Sequence, residues 1–149
     1  MRYEFGEVTE FLNVDLDVVG GEDLTPLVQA MGARILSLYC GKLKRGYVAR
    51  MELARQPKTA DEAIRKLTAL IARLPTSSRR LWNGARIRDF NVGVQSGQKP
   101  WCSEFPIRPE TLRLAAQLEA RVVMTVYGRP EGIVGAGAGA KTKRRPTTG

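Results

Sequence analysis

Hydrophobic and polar residues alternate near the start of the chain in a way that is typical of a half-buried β-strand. Over residues 11–19, every second residue is a leucine or valine, and the residues between them are Asn13, Asp15 and Asp17. Successive side chains on a strand point to opposite faces of the sheet. The pattern therefore predicts a strand with Leu12, Val14, Leu16 and Val18 on its buried face.

The second type of pattern is the periodicity of an amphipathic helix, which first appears between Leu24 and Gly32. Thr25-Pro26 is typical of a capping residue followed by proline at the first helical position. Apolar residues then recur at helical spacing, and Gly32 fits a helix C-cap. The predicted buried stripe consists of Leu24, Leu27, Val28 and Met31.

Two more helices are predicted from their first residues. Thr59 and Glu62 have the spacing of a capping box, and an apolar stripe runs from Ile64 to Leu74 before Pro75 ends the helix. The residues that begin the third helix are Arg108, Pro109 and Glu110. Its predicted buried stripe consists of Leu112, Ala115, Ala116 and Leu118.

Four further segments have the composition of strands: residues 34–40, 47–54, 86–95 and 121–127. The element order is then β-α-β-β-α-β-α-β. Its first six elements match the ferredoxin-like pattern of an antiparallel sheet with helices on one face. We therefore expect an α+β fold of this kind, extended by a C-terminal αβ unit, with Asn13, Asp15 and Asp17 on the water-facing side of the sheet.

The length of 149 residues is that of one domain, which we place at residues 1–128. Residues 129–149 are rich in Gly, Ala and bases, and we expect them to form a flexible basic tail. Within this tail, GAGAGAKT at 135–142 is similar to a phosphate-binding loop. However, Ala140 stands where that motif requires its second glycine, and no helix pattern follows it. We therefore predict a spacer and no cofactor.

The net charge is +9, of which the domain carries +5 and the tail +4. The chain contains no histidine, which excludes the hydrolase triads that depend on one. Cys40 and Cys102 stand far apart, so we expect reduced thiols and no metal site. The N-terminus has no signal-like apolar stretch, and no run has the length of a membrane span. These features favour a cytoplasmic, non-catalytic protein without membrane contact.

Three stretches of the chain resemble a bacterial family of small αβ domains of unknown function. They are residues 14–32, residues 69–75 with 90–97, and residues 105–128, and the resemblance covers roughly residues 11–128. The chain departs from the family at residues 34–38, where related chains tend to carry a proline-containing segment. The resemblance implies a compact αβ fold and supplies neither an activity nor functional residues.

A cluster of arginines between the second helix and the fourth strand is the first candidate binding surface. Basic residues interleaved with an aromatic residue are typical of surfaces that bind acidic proteins or nucleic acids. Arg73 begins the cluster, and the predicted partner contacts are Arg79, Arg80, Trp82, Arg86 and Arg88. The alternative is that these side chains only contact water in a loop. Trp101, in the next loop, is either a cover for the core or an anchor for a partner.

The basic hairpin at residues 42–50 is the second candidate. Residues 45–49 (RGYVA) resemble the start of the aromatic strand of RNA-recognition domains, and they fall on the third predicted strand. Ala49 stands where a stacking aromatic residue is required, and Asp15 and Asp17 would repel phosphate. The possible nucleic-acid contacts are Lys42, Lys44, Arg45, Tyr47, Lys141, Lys143, Arg144 and Arg145.

The sequence therefore favours a binding module that occupies the surface of a macromolecular partner, as inhibitory or immunity-type proteins do. We expect that partner to be a protein. The alternatives are a nucleic-acid-binding protein and a structural subunit whose tail becomes ordered in an assembly. The sequence leaves the oligomeric state open.

Overall fold

The computed structural model describes residues 7–128, which form a mixed α+β fold, as the sequence predicts. The sheet contains β1 (Glu10–Gly20), β2 (Ile35–Lys42), β3 (Tyr47–Leu53), β4 (Ile87–Gln95) and β5 (Arg121–Tyr127). The helices of this region are α1 (Thr25–Met31), α2 (Ala60–Ala72), α3 (Thr76–Gly84) and α4 (Pro109–Gln117). A short 3-10 turn, Gly32–Arg34, follows α1. The expected tail, residues 129–149, lies outside the described residues.

The strands are arranged in the order β2-β3-β1-β4-β5, with β1 at the centre. β1 pairs antiparallel with both β3 and β4, and β2 pairs antiparallel with β3. β5 pairs parallel with β4 and is connected to it through α4, because parallel neighbours require a crossover.

The helices pack against one face of this sheet and form a single core with it. Trp82 of α3 and Phe90 of β4 are the largest fully buried side chains. From the sheet, Val14, Leu16 and Val18 of β1 are fully buried against Ile64, Leu67 and Ile71 of α2. The opposite face of the sheet carries polar side chains and is called the open face below.

The predicted buried face of β1 is correct from Val14 onwards and wrong at Leu12, whose side chain is 39% exposed. The pairing of β1 with β4 shifts between Phe11 and Asn13, so the strand contains a bulge at Leu12. A bulge reverses the alternation of faces on one side of it. Phe11 therefore packs against the core in place of Leu12.

The predicted end of α1 is confirmed, but its predicted cap is wrong. Gly32 follows the helix with φ of 73°, a conformation that favours glycine. Thr25 is already helical and does not cap the first turn. The Asp23 carboxylate accepts hydrogen bonds from the amide and the hydroxyl of Thr25 instead, at 2.9 and 2.7 Å. In α2, by contrast, the Thr59 hydroxyl accepts from the Glu62 amide, as predicted.

The helix α3 was not predicted, because its residues were interpreted as a basic loop. The helix that the sequence predicts from Arg108 onwards is α4. Pro75 interrupts the helical pattern, but α3 resumes at the next residue. Ser78, Leu81 and Trp82 occupy its buried side at helical spacing. The basic segment therefore forms a short amphipathic helix, whose apolar residues recur at helical spacing.

The buried stripe of α4 also differs from the prediction. Leu112 is 47% exposed, Ala116 is exposed, and the buried side consists of Thr111, Ala115 and Leu118. The Asp61 carboxylate of α2 accepts hydrogen bonds from the backbone amide and the Nε of Arg108, at 2.9 and 3.0 Å. These bonds fix the start of α4, and Thr111 is turned inwards beside α2.

Replacing Asp61 with asparagine is expected to lower the free energy of unfolding at pH 7 by about 1–3 kcal/mol. Burial alone would raise the pKa of Asp61, but the nearby Thr111 hydroxyl and the Arg108 groups hold it below its ordinary value. The unfolded chain therefore takes up the proton first as the pH falls. The contribution of Asp61 is complete above the ordinary aspartate pKa of about 3.9 and is lost below it.

Urea unfolding of the natural chain and the Asp61→Asn variant between pH 7 and pH 3 measures this contribution. Glu104→Gln, which changes an exposed carboxylate, is the control and should behave as the natural chain does. A difference between the natural chain and Asp61→Asn that stays constant down to pH 3 contradicts the assignment.

The turn between β2 and β3 depends on Gly46. Its φ is 94°, and its carbonyl oxygen accepts from the Leu43 amide at 2.9 Å. A Cβ at this position would collide with the backbone oxygen of Gly20. Gly46→Ala is therefore expected to cost about 1–3 kcal/mol in unfolding experiments. Gly84→Ala is the control, because open space surrounds that position and helical alanine is favoured. Equal effects of both changes would contradict the argument.

Candidate functional site: the open face of the sheet

Two of the predicted contact arginines form hydrogen bonds to the ends of helices. Arg79 donates to the Ile71 carbonyl in the last turn of α2, at 3.2 Å. Arg88 donates to the carbonyls of Trp82 and Asn83 at the end of α3, at 3.2 and 3.1 Å. Carbonyl groups in the last turn of a helix lack intrahelical partners and attract cations. Arg79 and Arg88 therefore contribute to the fold itself.

The other arginines of the cluster have contacts near the surface of the domain. Arg80 forms two hydrogen bonds with the exposed Glu22 carboxylate, at 2.8 and 3.1 Å. Arg86 donates to the Arg45 carbonyl in the β2–β3 turn, at 3.2 Å. Arg73 lies beside a groove on the outer side of α2. Arg80 and Arg86 are thus bound to residues of this domain, and the contact of these arginines with a partner stays a prediction.

Trp82 corrects the sequence interpretation most clearly. It is fully buried, and its indole Nε1 donates to the Leu118 carbonyl at 3.1 Å. The ring fills the space between α3, α4 and the sheet, so it is not the exposed anchor that the sequence suggested. The exposed tryptophan is Trp101, whose side chain is 99% accessible.

The predicted nucleic-acid strand faces the wrong way for base stacking. Tyr47, Ala49 and Met51 share one face of β3, and Ala49 and Met51 are completely buried. The Tyr47 ring therefore packs against the core on the side of the helices, with the Lys42 ammonium 6.0 Å from its centre. Lys44 and Arg45 are exposed in the turn. The predicted contacts Lys141, Lys143, Arg144 and Arg145 lie outside the described residues.

The open face has a different chemistry from the rest of this basic chain. The registers of β1, β3, β4 and β5 place five carboxylates and two guanidinium groups on it. The carboxylates are Glu10, Asp15, Asp17, Glu52 and Asp89, and the guanidinium groups belong to Arg50 and Arg121. The formal charge of this face is therefore −3, whereas the whole chain carries +9.

Two of the five carboxylates are neutralised by bases on neighbouring strands. The Asp17 carboxylate accepts from Arg50 Nε at 2.9 Å. The Asp89 carboxylate accepts from Nε and Nη2 of Arg121, at 2.8 and 2.7 Å. Asp89 is only 8% exposed, and a bidentate guanidinium is a suitable partner for a buried carboxylate.

Of the other three carboxylates, Glu10 lies at the beginning of β1, and Asp15 and Glu52 meet at the centre of the face. Asp15 lies directly opposite Glu52 in the register of β1 and β3. The Asn13 side-chain amide donates to both carboxylates, at 2.8 Å to Asp15 and 3.1 Å to Glu52. Gly93 leaves space for the Asn13 side chain, because a Cβ at position 93 would lie only 2.6 Å from Asn13 Oδ1. We call Asn13, Asp15 and Glu52 the acidic centre.

The acidic centre holds negative charge that its surroundings do not balance. Within residues 7–128, neither Asp15 nor Glu52 forms an ion pair. Partial burial raises the pKa of Asp15 above its ordinary value, the charges of Asp17 and Glu52 raise it further, and Arg50 opposes them. Ionisation of Asp15 is therefore less favourable in the folded domain than in the unfolded chain.

Exposed apolar and aromatic side chains border the acidic centre on both sides. On β2, Leu36 lies opposite Glu52 and Tyr39 lies opposite Arg50; they are 51% and 52% exposed. On β5, Tyr127 is 48% exposed. Aromatic residues are enriched at protein interfaces, where they supply contact area at little entropic cost.

Metal binding and membrane crossing can be examined in the described part of the chain. Its His, Cys, Asp and Glu residues form no group of three or more that could hold a metal ion. Both cysteine thiols are free, with Cys40 half-buried beside α1 and Cys102 exposed. Between residues 7 and 128, every helix is too short or too polar to cross a membrane.

Sequence reasoning identified Asp15 and Asp17 on the polar face but missed Glu52 and Tyr127. It also missed Asn91, which lies opposite Asp15 on β4 and accepts a hydrogen bond from the Thr125 hydroxyl of β5. The alternation in residues 50–52 and 89–91 was the available signal, since each stretch places polar residues on both sides of a buried one. Comparison of the chain with protein-family models, curated proteins and solved structures finds no match.

Proposed function

We propose that this protein is a non-catalytic binding module whose open face docks on a protein partner. The observation that carries the proposal is the unbalanced acidic centre, where one asparagine amide holds Asp15 and Glu52 together. A cation from a partner would remove the repulsion between these carboxylates. We therefore expect the partner to present an arginine or lysine side chain at this point.

The border of the acidic centre supports the same proposal. Leu36, Tyr39 and Tyr127 would surround the incoming cation and exclude water from it, as near-neutral rims do around binding hot spots. Five strands spaced about 4.8 Å apart and about seven residues long present roughly 24 by 23 Å, or about 550 Å². That area matches the smaller, transient class of protein interfaces.

The sign of the charge favours a protein over a nucleic acid as the partner. Asp15, Glu52 and their neighbours would repel phosphate groups, and β3 turns Tyr47 towards the core. A basic protein segment has the complementary charge. An inhibitory or immunity-type protein that covers a basic functional surface of its target would use such a face.

We also propose that the fold is ferredoxin-like. It is supported by the first six predicted elements, by the central position of β1, and by the antiparallel pairing of β1 with β3 and β4. In this description α3 is an insertion before β4. The unit of α4 and β5 extends the sheet.

Photo-crosslinking in the cell of origin tests the docking proposal. A photoreactive residue replaces Val123 on the open face or, as the control, the exposed Arg113 on α4. We expect the Val123 position to capture one particular protein, and Glu52→Lys to abolish that adduct. Capture of the same protein from both positions, capture that survives Glu52→Lys, or an adduct with nucleic acid contradicts the proposal.

A further inference from the structure

A second concave site lies on the helix-covered side of the sheet. It is a groove of about 460 Å³ between α2, the 3-10 turn after α1, and the end of β3. This volume falls within the range of small-molecule sites, about 300–1,000 Å³. Because the groove lies on the opposite side of the sheet from the open face, it is distinct from the docking surface proposed above.

The side walls of the groove carry four cationic side chains. They belong to Arg34, Arg55, Lys66 and Arg73, and none of the lining residues is acidic. Lys66 is paired with Glu62 at 3.2 Å. The three arginine side chains form no ion pair or hydrogen bond with any other residue between 7 and 128, whereas Arg50, Arg80 and Arg121 are paired with carboxylates.

The floor of the groove is apolar. Leu53 is buried at its base, Leu70 packs against the core beside it, and the remaining lining residues are the alanines Ala33, Ala54 and Ala69. The small side chains keep the groove open between the arginines. An apolar floor beside three unpaired arginines suits a ligand with an apolar body and a strongly anionic end.

We propose that this groove binds a phosphate monoester of a small, flat apolar group. Guanidinium groups match the geometry of phosphate oxygens and bind them in pairs. Three unpaired arginines favour the dianionic phosphate over a carboxylate, which neutralises one charge only. The apolar body of the ligand would cover Leu70 and the three alanines and remove their exposed surface from water.

Phenyl phosphate is the probe, with inorganic phosphate and phenol as its two halves. Binding is followed by amide chemical shifts in the full-length chain, which distinguish the groove from any basic residue elsewhere. We expect phenyl phosphate to shift amides in residues 53–55 and 66–73 in a saturable way. Each half should bind at least about tenfold more weakly, because it contacts only the arginines or only the floor.

Two variants and a control assign this binding to the groove. Arg55→Gln/Arg73→Gln removes two guanidinium groups and is expected to weaken binding roughly ten- to a hundredfold. Ala69→Phe fills the groove without changing its charge and should weaken binding by at least about tenfold. Arg113→Gln removes an exposed arginine on α4 and should change nothing.

Three results would overturn the proposal. They are the absence of saturable shifts in the groove up to about 10 mM phenyl phosphate, equal affinity for inorganic phosphate, and affinity that neither groove variant changes. None of these results depends on the open face, so the two proposals can fail separately.

Discussion

Replacing Trp82 with alanine is expected to lower the free energy of unfolding by about 3–5 kcal/mol, the usual cost of removing a buried tryptophan. The ring is fully buried in the core between α3, α4 and the sheet. Its loss leaves a cavity and also leaves the Leu118 carbonyl without its indole donor. Chemical unfolding followed by circular dichroism measures the change.

Trp101→Ala is the matched control for this experiment, because the same residue type is 99% exposed there. A fully exposed side chain contributes little to stability, and we expect a change within about 0.5 kcal/mol. Trp82→Phe should fall between the two, since it keeps a ring in the core but not the hydrogen bond. Equal effects at positions 82 and 101 would show that Trp82 is not part of the core.

Neutralising the acidic centre is expected to weaken partner binding by about 30-fold or more, or ~2 kcal/mol, without destabilising the domain. The variant is Asp15→Asn/Glu52→Gln, which keeps the shape of both side chains. The measurement is titration calorimetry against the purified protein captured by crosslinking. Glu104→Gln removes an exposed carboxylate elsewhere and should bind with unchanged affinity.

The stability of Asp15→Asn distinguishes a binding role from a structural one. Burial, Asp17 and Glu52 hold the pKa of Asp15 above its ordinary value in the folded state. The folded chain therefore releases the proton later than the unfolded chain, and stability is lost as the pH rises from about 3.9 through the raised pKa. At pH 7 the Asp15→Asn variant should be slightly more stable than the natural chain, and below about pH 3.9 equally stable.

A stabilised variant that binds less well is the signature of a residue kept for function. A loss of both stability and binding would instead indicate that Asp15 supports the fold. Unchanged binding in the double variant would remove the acidic centre from the interface.

The sequence predicted most of the sheet because local patterns determine most of its strands. β5 was predicted with its observed bounds, and β1, β3 and β4 were predicted to within two residues at either end. The bulge at Leu12 is different, since it depends on how β1 pairs with β4 more than 70 residues later in the chain. No alternation within residues 11–19 reveals such a shift.

The errors on the helices have a similar physical origin. The outward position of Leu112 depends on Asp61 of α2, which holds the start of α4 through Arg108. The residues of α4 alone cannot predict this contact, because Asp61 lies 47 positions before Arg108 in the chain. The spacing of Ser78, Leu81 and Trp82 indicates α3, but Pro75 ends α2 and hides the fact that a new helix begins at the next residue.

The candidate site could be predicted only in part. The alternation in β1 placed Asp15 and Asp17 on one face, but the difference between them comes from neighbouring strands. Arg50 of β3 pairs with Asp17, whereas Glu52 of the same strand lies opposite Asp15. Only the register between strands decides which carboxylate receives a base and which receives a second acid.

The position of the interface is tested most directly by mapping amide chemical-shift changes in the full-length chain while the captured partner is added. We expect the largest changes at Asp15, Glu52, Asn91 and Thr125 on the open face, with α3 unaffected. Changes concentrated around Arg79, Arg80 and Arg86 would contradict this account and restore the arginine cluster as the binding surface.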